Sequence, residues 1–198
     1  MNKKELAPGI FIYSDVLENH ETLIQDIEEG MLGAKKNWVQ SQIKQYEDVE
    51  VNTKSRDTLT LGVPYSNSIV DDFSNVSAAF NSSLSNIFFS GFNVAELDYK
   101  SEHQVETEWH DQYSILKYGA GQKFVNHIDD HKDYHRRISL VYYINDNYTG
   151  GEIVFPRFGI SYKPKANELL IFPSTYVYNH SVLPVIEGTR YSVVSWLT

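Results

Sequence analysis

Two histidines and one aspartate are the residues of this sequence best suited to redox chemistry. His127 and Asp129 are separated by one residue, and His180 follows Asp129 after 51 positions. Two imidazoles and one carboxylate are the ligands of the facial triad, which holds non-haem Fe(II) and leaves coordination positions open. Arg190 lies ten positions after His180, where a fixed cation could dock an organic acid. The set predicts an enzyme that uses iron, O2 and a keto-acid cosubstrate.

The spacing of these residues indicates how the chain would bring them together. Side chains of an extended segment alternate between two faces, so His127 and Asp129 would point to the same side. His180 follows the apolar run at 169–172, and we therefore expect it at a strand end or on the next strand. Three protein ligands would leave room for a bidentate cosubstrate and O2.

A second histidine pattern offers an alternative metal site. His127, His131 and His135 are spaced by four residues, so that on a helix they would share one face and could bind zinc. The segment lacks a His-Glu-x-x-His pattern, and a solvated loop is the favoured interpretation for His131 and His135. Three further histidines have no ligand-like spacing and are interpreted as surface or core polar residues: His20, His103 and His110.

The composition is that of a soluble globular protein with one domain or one domain and an extension. The 198 residues are 41% hydrophobic and 22% charged, with a net charge of -9 and a pI near 5.2. An acidic chain argues against broad binding to nucleic acid or anionic membranes. There is no cysteine, no evident signal peptide and no apolar run that approaches the ~18 residues of a membrane span. We therefore predict a cytoplasmic protein.

The apolar pattern predicts helices first and strands afterwards, an α+β order. We expect a short strand at 8–17, a helix at 19–31, a strand–loop–strand excursion at 36–66 and a helix at 68–89. After about residue 94, short β-branched and aromatic runs separated by turns indicate a sandwich, barrel or jelly roll. The strands are expected at 112–118, 137–144, 151–155, 158–163, 168–173 and 190–197.

Four ordered motifs of the second half resemble a known family. They are Gly-Gln-Lys-Phe-x-x-His-x-Asp at 121–129, Arg-Arg-Ile-Ser-Leu-Val-Tyr-Tyr-Ile-Asn at 136–145, Gly-Gly-Glu-x-x-Phe-Pro at 150–156 and His-x-x-x-Pro-Val-x-x-Gly-Thr-Arg-Tyr-x-x-x-x-Trp at 180–196. Over about residues 112–198 the set resembles the prolyl 4-hydroxylase-like 2-oxoglutarate/Fe(II) dioxygenases. The resemblance implies a double-stranded β-helix (jelly-roll) core with N-terminal supporting helices. We expect one domain, with support from 1–94 and the catalytic core at 95–198.

The resemblance also assigns roles to individual residues. It implies His127, Asp129 and His180 as iron ligands and Arg190 as the partner of the distal carboxylate of 2-oxoglutarate. It implies further cosubstrate contacts and substrate contacts, each of which could equally have a structural role. The cosubstrate candidates are Tyr118 and Tyr143, and the substrate candidates are Arg136, Arg56 and Trp196. Arg56 lies in the segment 39–62, which by analogy with the family is the candidate for a substrate loop, although a solvated loop is the favoured interpretation.

Three functions remain open at this point. The first is hydroxylation of a peptidyl proline with Fe(II), 2-oxoglutarate and O2, and with ascorbate as a common requirement of the family. The second keeps the chemistry but acts on a free amino acid, another side chain, a nucleobase or a small metabolite. The third is a cupin-like or carbohydrate-binding jelly roll that holds a metal without redox turnover. The sequence predicts a proline-containing peptide or protein as the partner, with neither nucleic acid nor membrane, and leaves the oligomeric state open.

Overall fold

The computed structural model describes residues 1–29, 38–45, 48–63, 75–132 and 135–198, with the side chains of all but 44, 45, 48, 49 and 75–82. Two helices occur in these ranges, α1 (Leu23–Glu29) and α2 (Asn75–His103), with three short 3-10 helices at 20–22, 156–158 and 176–178. The strands are β1 (Asn2–Ala7), β2 (Ile10–Ser14), β3 (Val39–Gln40), β4 (Ile43–Gln45), β5 (Asp48–Glu50), β6 (Leu59–Val63), β7 (Tyr113–Tyr118), β8 (Phe124–His127), β9 (Ile138–Tyr143), β10 (Thr149–Gly150), β11 (Ile153–Phe155), β12 (Ile160–Tyr162), β13 (Glu168–Pro173), β14 (His180–Val182), β15 (Val185–Glu187) and β16 (Arg190–Leu197).

Twelve of the strands form a larger and a smaller antiparallel sheet that face each other, whereas β4 pairs with β5 and β10 pairs with β15. The larger sheet has the order β1-β2-β13-β9-β16-β7-β6-β3, and the smaller has the order β12-β11-β14-β8. One core cluster joins the larger sheet to the helices, and a second joins it to the smaller sheet. The result is the predicted α+β fold, a double-stranded β-helix with supporting helices. No helix in the described ranges is both long and apolar enough to cross a membrane.

Strand β16 contributes side chains to both faces of the larger sheet. Tyr191 and Val193 point to the core beneath the helices, whereas Arg190, Ser192 and Val194 line the space between the two sheets. This alternation is the period of two that a strand imposes on its side chains. Because both faces are covered, seven of the eight residues of β16 are buried, including its arginine and both serines.

Helix α2 extends beyond the end that was predicted for the helix at 68–89. It continues to His103, across residue 94, because Phe92 and Tyr99 keep the apolar spacing and are buried against the sheet. Within the predicted range, Leu84 and Phe88 are buried whereas Ile87 is exposed. The expected helix start at residues 68–71 lies outside the described residues. The division of the domain at residue 94 stays a prediction.

The amino-terminal strand prediction at 8–17 was wrong in its bounds. Two strands are present, β1 and β2, and Pro8-Gly9 forms the turn between them with Gly9 at φ 78°. Strand β1 was missed because its sequence Asn-Lys-Lys-Glu-Leu-Ala is polar and lies at an exposed sheet edge. The predicted helix at 19–31 begins later than expected, with α1 starting at Leu23 after a 3-10 turn, and its expected end at 30–31 lies outside the described residues.

The excursion predicted at 36–66 contains the four strands β3 to β6 in its described part. The strand predictions of the second half match the fold except for four short strands. Strands β8, β10, β14 and β15 were not predicted, since each has only two to four residues and contains polar or exposed positions. Gly150 and Gly151 adopt φ of +71° and +67° where a side chain on Gly150 would meet the carbonyl oxygen of Pro184. They make the sharp bend that the sequence predicted.

Candidate metal and cosubstrate site

The smaller sheet brings the two triad histidines into register. His127 ends β8 and His180 begins β14, and the two residues are directly opposite each other in this antiparallel pair. Asp129 lies two residues beyond β8, as the His-x-Asp spacing requires. One donor atom from each of the three residues lies within 4.8 Å of the others. Among the described residues this is the only group of His, Asp and Glu side chains arranged to hold a metal ion.

Backbone carbonyls fix the orientation of both imidazoles. Nδ1 of His127 lies 2.8 Å from the carbonyl oxygen of Val125, and Nδ1 of His180 lies 3.1 Å from that of Tyr178. Nδ1–H donates in each contact, which leaves the lone pair on Nε2. The Nε2 atoms lie 3.4 and 3.8 Å from the carboxylate oxygens of Asp129. Both rings therefore present the atom that binds a metal to the same point.

The protonation states of the group suit a cation. Burial, assisted by the neighbouring His127, lowers the pKa of His180 to about 4, so the ring is neutral at pH 7. Burial alone would raise the pKa of Asp129, but His180 and His127 hold it well below its usual range. A neutral imidazole and an ionised carboxylate are the forms that coordinate metals.

Ser139 of β9 is a supporting residue that the sequence reasoning missed. Its hydroxyl donates to Oδ2 of Asp129 at 2.7 Å and lies 2.8 Å from the hydroxyl of Ser174. Both serines are buried. The available signal was a serine within the apolar run Ile-Ser-Leu-Val of a central strand, where only a hydrogen-bonding role favours a hydroxyl.

Arg190 supplies a buried cation from the opposite sheet. The residue is 1% exposed, and its Nη1 donates to Oγ of Ser192 at 3.2 Å. Its Nε is buried without a hydrogen-bond partner, and no carboxylate of the described residues forms an ion pair with it. A buried charge without a counter-ion is costly. The guanidinium is therefore arranged to receive an anion.

The two tyrosines that the sequence singled out flank Arg190. The guanidinium carbon lies 4.8 Å from the ring centroid of Tyr118 and 5.1 Å from that of Tyr143. The hydroxyl of Tyr143 is buried beside the guanidinium of Arg190 and makes no hydrogen bond of regular geometry with a described residue. Tyr118 lines the cavity, whereas Tyr143 contacts Arg190 outside the cavity wall.

A cavity of about 500 Å³ connects the metal-binding group with Arg190. It lies between the two sheets, and its walls include Leu116, Val141, Ile153 and Val194. The side chain of Ile153 has no polar atom, so it offers no hydrogen bond to a bound molecule. The cavity therefore combines a few polar groups with an apolar lining, as small-molecule sites do.

The three predicted substrate residues also line this cavity. The guanidinium of Arg136 stacks on the ring of Trp196, with 3.5 Å between its carbon and the ring centroid. Its Nε lies 3.2 Å from a carboxylate oxygen of Asp111. Arg56 reaches the cavity from the segment before β6 and contacts Phe124.

The alternative histidine pattern does not form a metal site among the described residues. Residues 127–132 are not helical, and His131 and His135 lie outside the metal-binding group. His131 lines the cavity, and the side chain of His135 is 79% exposed. His110, left as a polar residue by the sequence, is largely buried and lies 3.2 Å from Glu96.

Comparison with known proteins identifies the class of this fold and site. Residues 113–198 match the family model of the 2OG-Fe(II) oxygenase superfamily. Over these residues the predicted resemblance to prolyl 4-hydroxylase-like 2-oxoglutarate/Fe(II) oxygenases is confirmed.

Individual relatives agree with this family. A PKHD-type hydroxylase of Prochlorococcus marinus (strain MIT 9215) is 36% identical over 83 residues, which are 39% of this chain and 37% of the relative. The match thus spans little more than a third of that curated protein. A prolyl-4-hydroxylase of Pseudomonas putida superposes with a TM-score of 0.70 at 19% identity, covering 96% of this chain and 92% of the other. A prolyl hydroxylase of Trichoplax adhaerens, in complex with a hypoxia inducible factor peptide fragment, gives 0.68 at 18% identity, covering 96% and 83%. Both structural likenesses establish the fold.

Proposed function

We propose that this protein is a 2-oxoglutarate- and Fe(II)-dependent dioxygenase that hydroxylates a peptidyl proline. The observation that carries the proposal is the pairing of a His-Asp-His group with the unpaired, buried Arg190 in one cavity. A metal site alone would not require a buried cation in the opposite wall. That cation argues against the alternative of a non-redox metal-binding jelly roll.

The donor set fits Fe(II). Nε2 of His127, Nε2 of His180 and a carboxylate oxygen of Asp129 would bind the metal on one face. Ser139 would hold the carboxylate in position through the hydroxyl that already donates to it. When bound, the iron supplies the redox chemistry by which O2 and 2-oxoglutarate convert a C–H group to C–OH with release of succinate and CO2.

Arg190 and the tyrosines fit the cosubstrate. The guanidinium would bind the distal carboxylate of 2-oxoglutarate, since its planar fork matches a carboxylate. The cavity-lining Tyr118 would add a hydrogen bond at that end, and Tyr143 would hold the guanidinium that it contacts from outside the cavity. The apolar wall around them would exclude water and strengthen the pairing of the two charges.

A peptide substrate is supported by the Trichoplax relative, whose complex contains a peptide fragment. In this chain Arg136, Trp196 and Arg56 would contact the substrate at the mouth of the cavity. A different substrate of the same chemistry would use the same iron and cosubstrate residues, because substrate choice depends on the surrounding loops. An ascorbate requirement and the cytoplasmic location remain predictions.

The first test is an anaerobic titration of the purified protein with Fe(II) and 2-oxoglutarate. We expect the weak visible charge-transfer band of the chelate in the wild type and a weaker band in Arg190→Ala at equal cosubstrate concentration. Bound metal without a band would overturn the dioxygenase proposal. Where the band forms, proline-containing peptides are screened for a mass gain of one oxygen atom together with succinate.

A further inference from the structure

A second unpaired arginine lies at the mouth of the cavity. Arg56 precedes β6, and its segment is joined to β8 by backbone hydrogen bonds. The amide of Val125 donates to the carbonyl oxygen of Ser55 at 2.8 Å, and that of Asp57 donates to the carbonyl oxygen of Lys123 at 2.9 Å. The segment is therefore attached to the strand that ends in the metal-binding residue His127.

The guanidinium of Arg56 lies close to the metal-binding group. Its carbon is 4.9 Å from the centroid of the Phe124 ring, and this ring stacks on that of His127 with 3.5 Å between centroids. Nη1 donates to the carbonyl oxygen of Gln42 at 3.1 Å. The guanidinium is thus oriented by one neutral hydrogen bond and one aromatic ring.

No carboxylate in the described part of the protein is in ion-pair contact with Arg56, and Asp129, which raises the pKa of the guanidinium from a distance, is itself one of the proposed metal ligands. Its Nε is buried without a hydrogen-bond partner, and no described carboxylate forms an ion pair with it. Arg136, the other arginine at the mouth, has Asp111 as its partner. An arginine stays protonated in proteins, so that this desolvated charge carries a cost until an anion reaches it.

The loaded site would not supply that anion. The charges of Fe(II) and Arg190 are equal and opposite to those of Asp129 and the 2-oxoglutarate dianion. Metal and cosubstrate therefore neutralise the back of the cavity and leave the charge of Arg56 unchanged. The remaining occupant of the cavity is the substrate.

We propose that the substrate presents a carboxylate to Arg56, adjacent to the position that is hydroxylated. The proposal rests on the proposed function, because the substrate is taken to approach the iron site. With Nη1 held by Gln42, the edge that contains Nε is the part of the fork left to bind a carboxylate. The carboxylate is either an acidic side chain beside the reacting residue or the α-carboxylate of a free or carboxy-terminal residue.

The test compares probes that differ only in charge. Three fluorescein-labelled nine-residue peptides carry a central proline flanked on both sides by Glu, Gln or Lys, with Gly and Ala elsewhere and an amidated end. L-Proline and L-prolinamide form the second pair and are assayed by competition. Dissociation constants are measured by fluorescence anisotropy on protein loaded with Fe(II) and 2-oxoglutarate under nitrogen, and succinate formation is measured in air.

We expect the wild type to bind at least one carboxylate probe about tenfold or more tightly than its amide partner. Tighter binding of the Glu peptide than of the Gln peptide would show that Arg56 binds an acidic side chain of the substrate. Tighter binding of L-proline than of L-prolinamide would show that it binds an α-carboxylate. Arg56→Gln should abolish the preference. Arg56→Glu should favour the Lys peptide over the Glu peptide, a gain that a misfolded protein could not produce. Lys54→Gln is the matched control, since it removes the same charge from an exposed neighbour, and should keep the preference.

Equal binding of carboxylate and amide probes by the wild type would overturn the assignment of Arg56. A preference that survives in Arg56→Gln would also overturn it. In both cases an intact chelate band would leave the proposed function standing. Absence of the band in the wild type would instead remove the proposed function and the role of Arg56 with it.

Discussion

The two unpaired arginines of the cavity differ in how the fold holds them. Arg190 begins β16, a central strand that pairs with β7 and β9, and it is almost fully buried. Arg56 lies on an irregular segment that is joined to β8 by a few hydrogen bonds and is only partly buried. The back of the cavity is thus built from strands, and its mouth is built partly from a loop.

This difference suggests that the back of the cavity carries out the reaction and that its mouth recognises the substrate. Groups that bind a metal or a cosubstrate need fixed geometry, and strands within a packed sheet provide it. Groups that select a substrate can vary between relatives, and loops tolerate such change. We therefore expect changes at the back to remove the reaction and changes at the mouth to alter which substrate reacts.

The largest effect should follow removal of a metal ligand. His180→Ala deletes one of three donors, and we expect succinate formation from 2-oxoglutarate to fall below detection with loss of the chelate band. His135→Ala, a change of the same type at an exposed position outside the group, should retain both. Retained 2-oxoglutarate consumption in His180→Ala, and likewise in His127→Ala and Asp129→Ala, would show that the back of the cavity is assigned wrongly.

Arg190→Ala should have the next largest effect. Removal of one partner of a buried charge pair costs about 2–5 kcal/mol, which corresponds to roughly 30-fold to several-thousand-fold weaker binding of 2-oxoglutarate. The affinity is measured by following the intensity of the chelate band as the concentration of 2-oxoglutarate is raised. Arg157→Ala, at an exposed arginine, is the control. An unchanged requirement for 2-oxoglutarate would place the distal carboxylate elsewhere in the cavity.

Ser139→Ala, which changes a residue in contact with Asp129, should have a smaller effect. The hydroxyl that donates to Asp129 is lost, and such supporting contacts typically change metal affinity by about 10- to 100-fold. Titration with Fe(II) under nitrogen measures this affinity, and Ser139→Thr should restore part of it because the hydroxyl is kept. Equal affinity in wild type and Ser139→Ala would mean that the carboxylate is held by its backbone alone.

Much of the back of the cavity was predictable from local sequence. His127, Asp129, His180 and Arg190 were selected by their chemical types and order along the chain. The structure brings the triad together and places Arg190 in the opposite wall of the cavity. The alternating strands that carry them were predictable for the same reason, since side-chain alternation is a local property of an extended chain.

The contacts that cross between elements were not predictable. Ser139 meets Asp129 from a strand of the opposite sheet, and no spacing along the chain reports that approach. The end of α2 at His103 was missed because the sequence change near residue 94 does not alter the helical spacing of Phe92 and Tyr99. The short strands β14 and β15 have too few residues to show a period.

The sequence by itself determined the types of the proposed metal ligands, the strand-rich second half and the presence of a cation suited to a keto acid. Tertiary structure decided which charges are left without partners. The sequence alone does not distinguish Arg56, Arg136 and Arg190. In the structure, Asp111 forms an ion pair with Arg136, and no described carboxylate forms one with Arg56 or Arg190. Pairing depends on distances between residues far apart in the chain, so it is fixed only when the two sheets have folded onto each other.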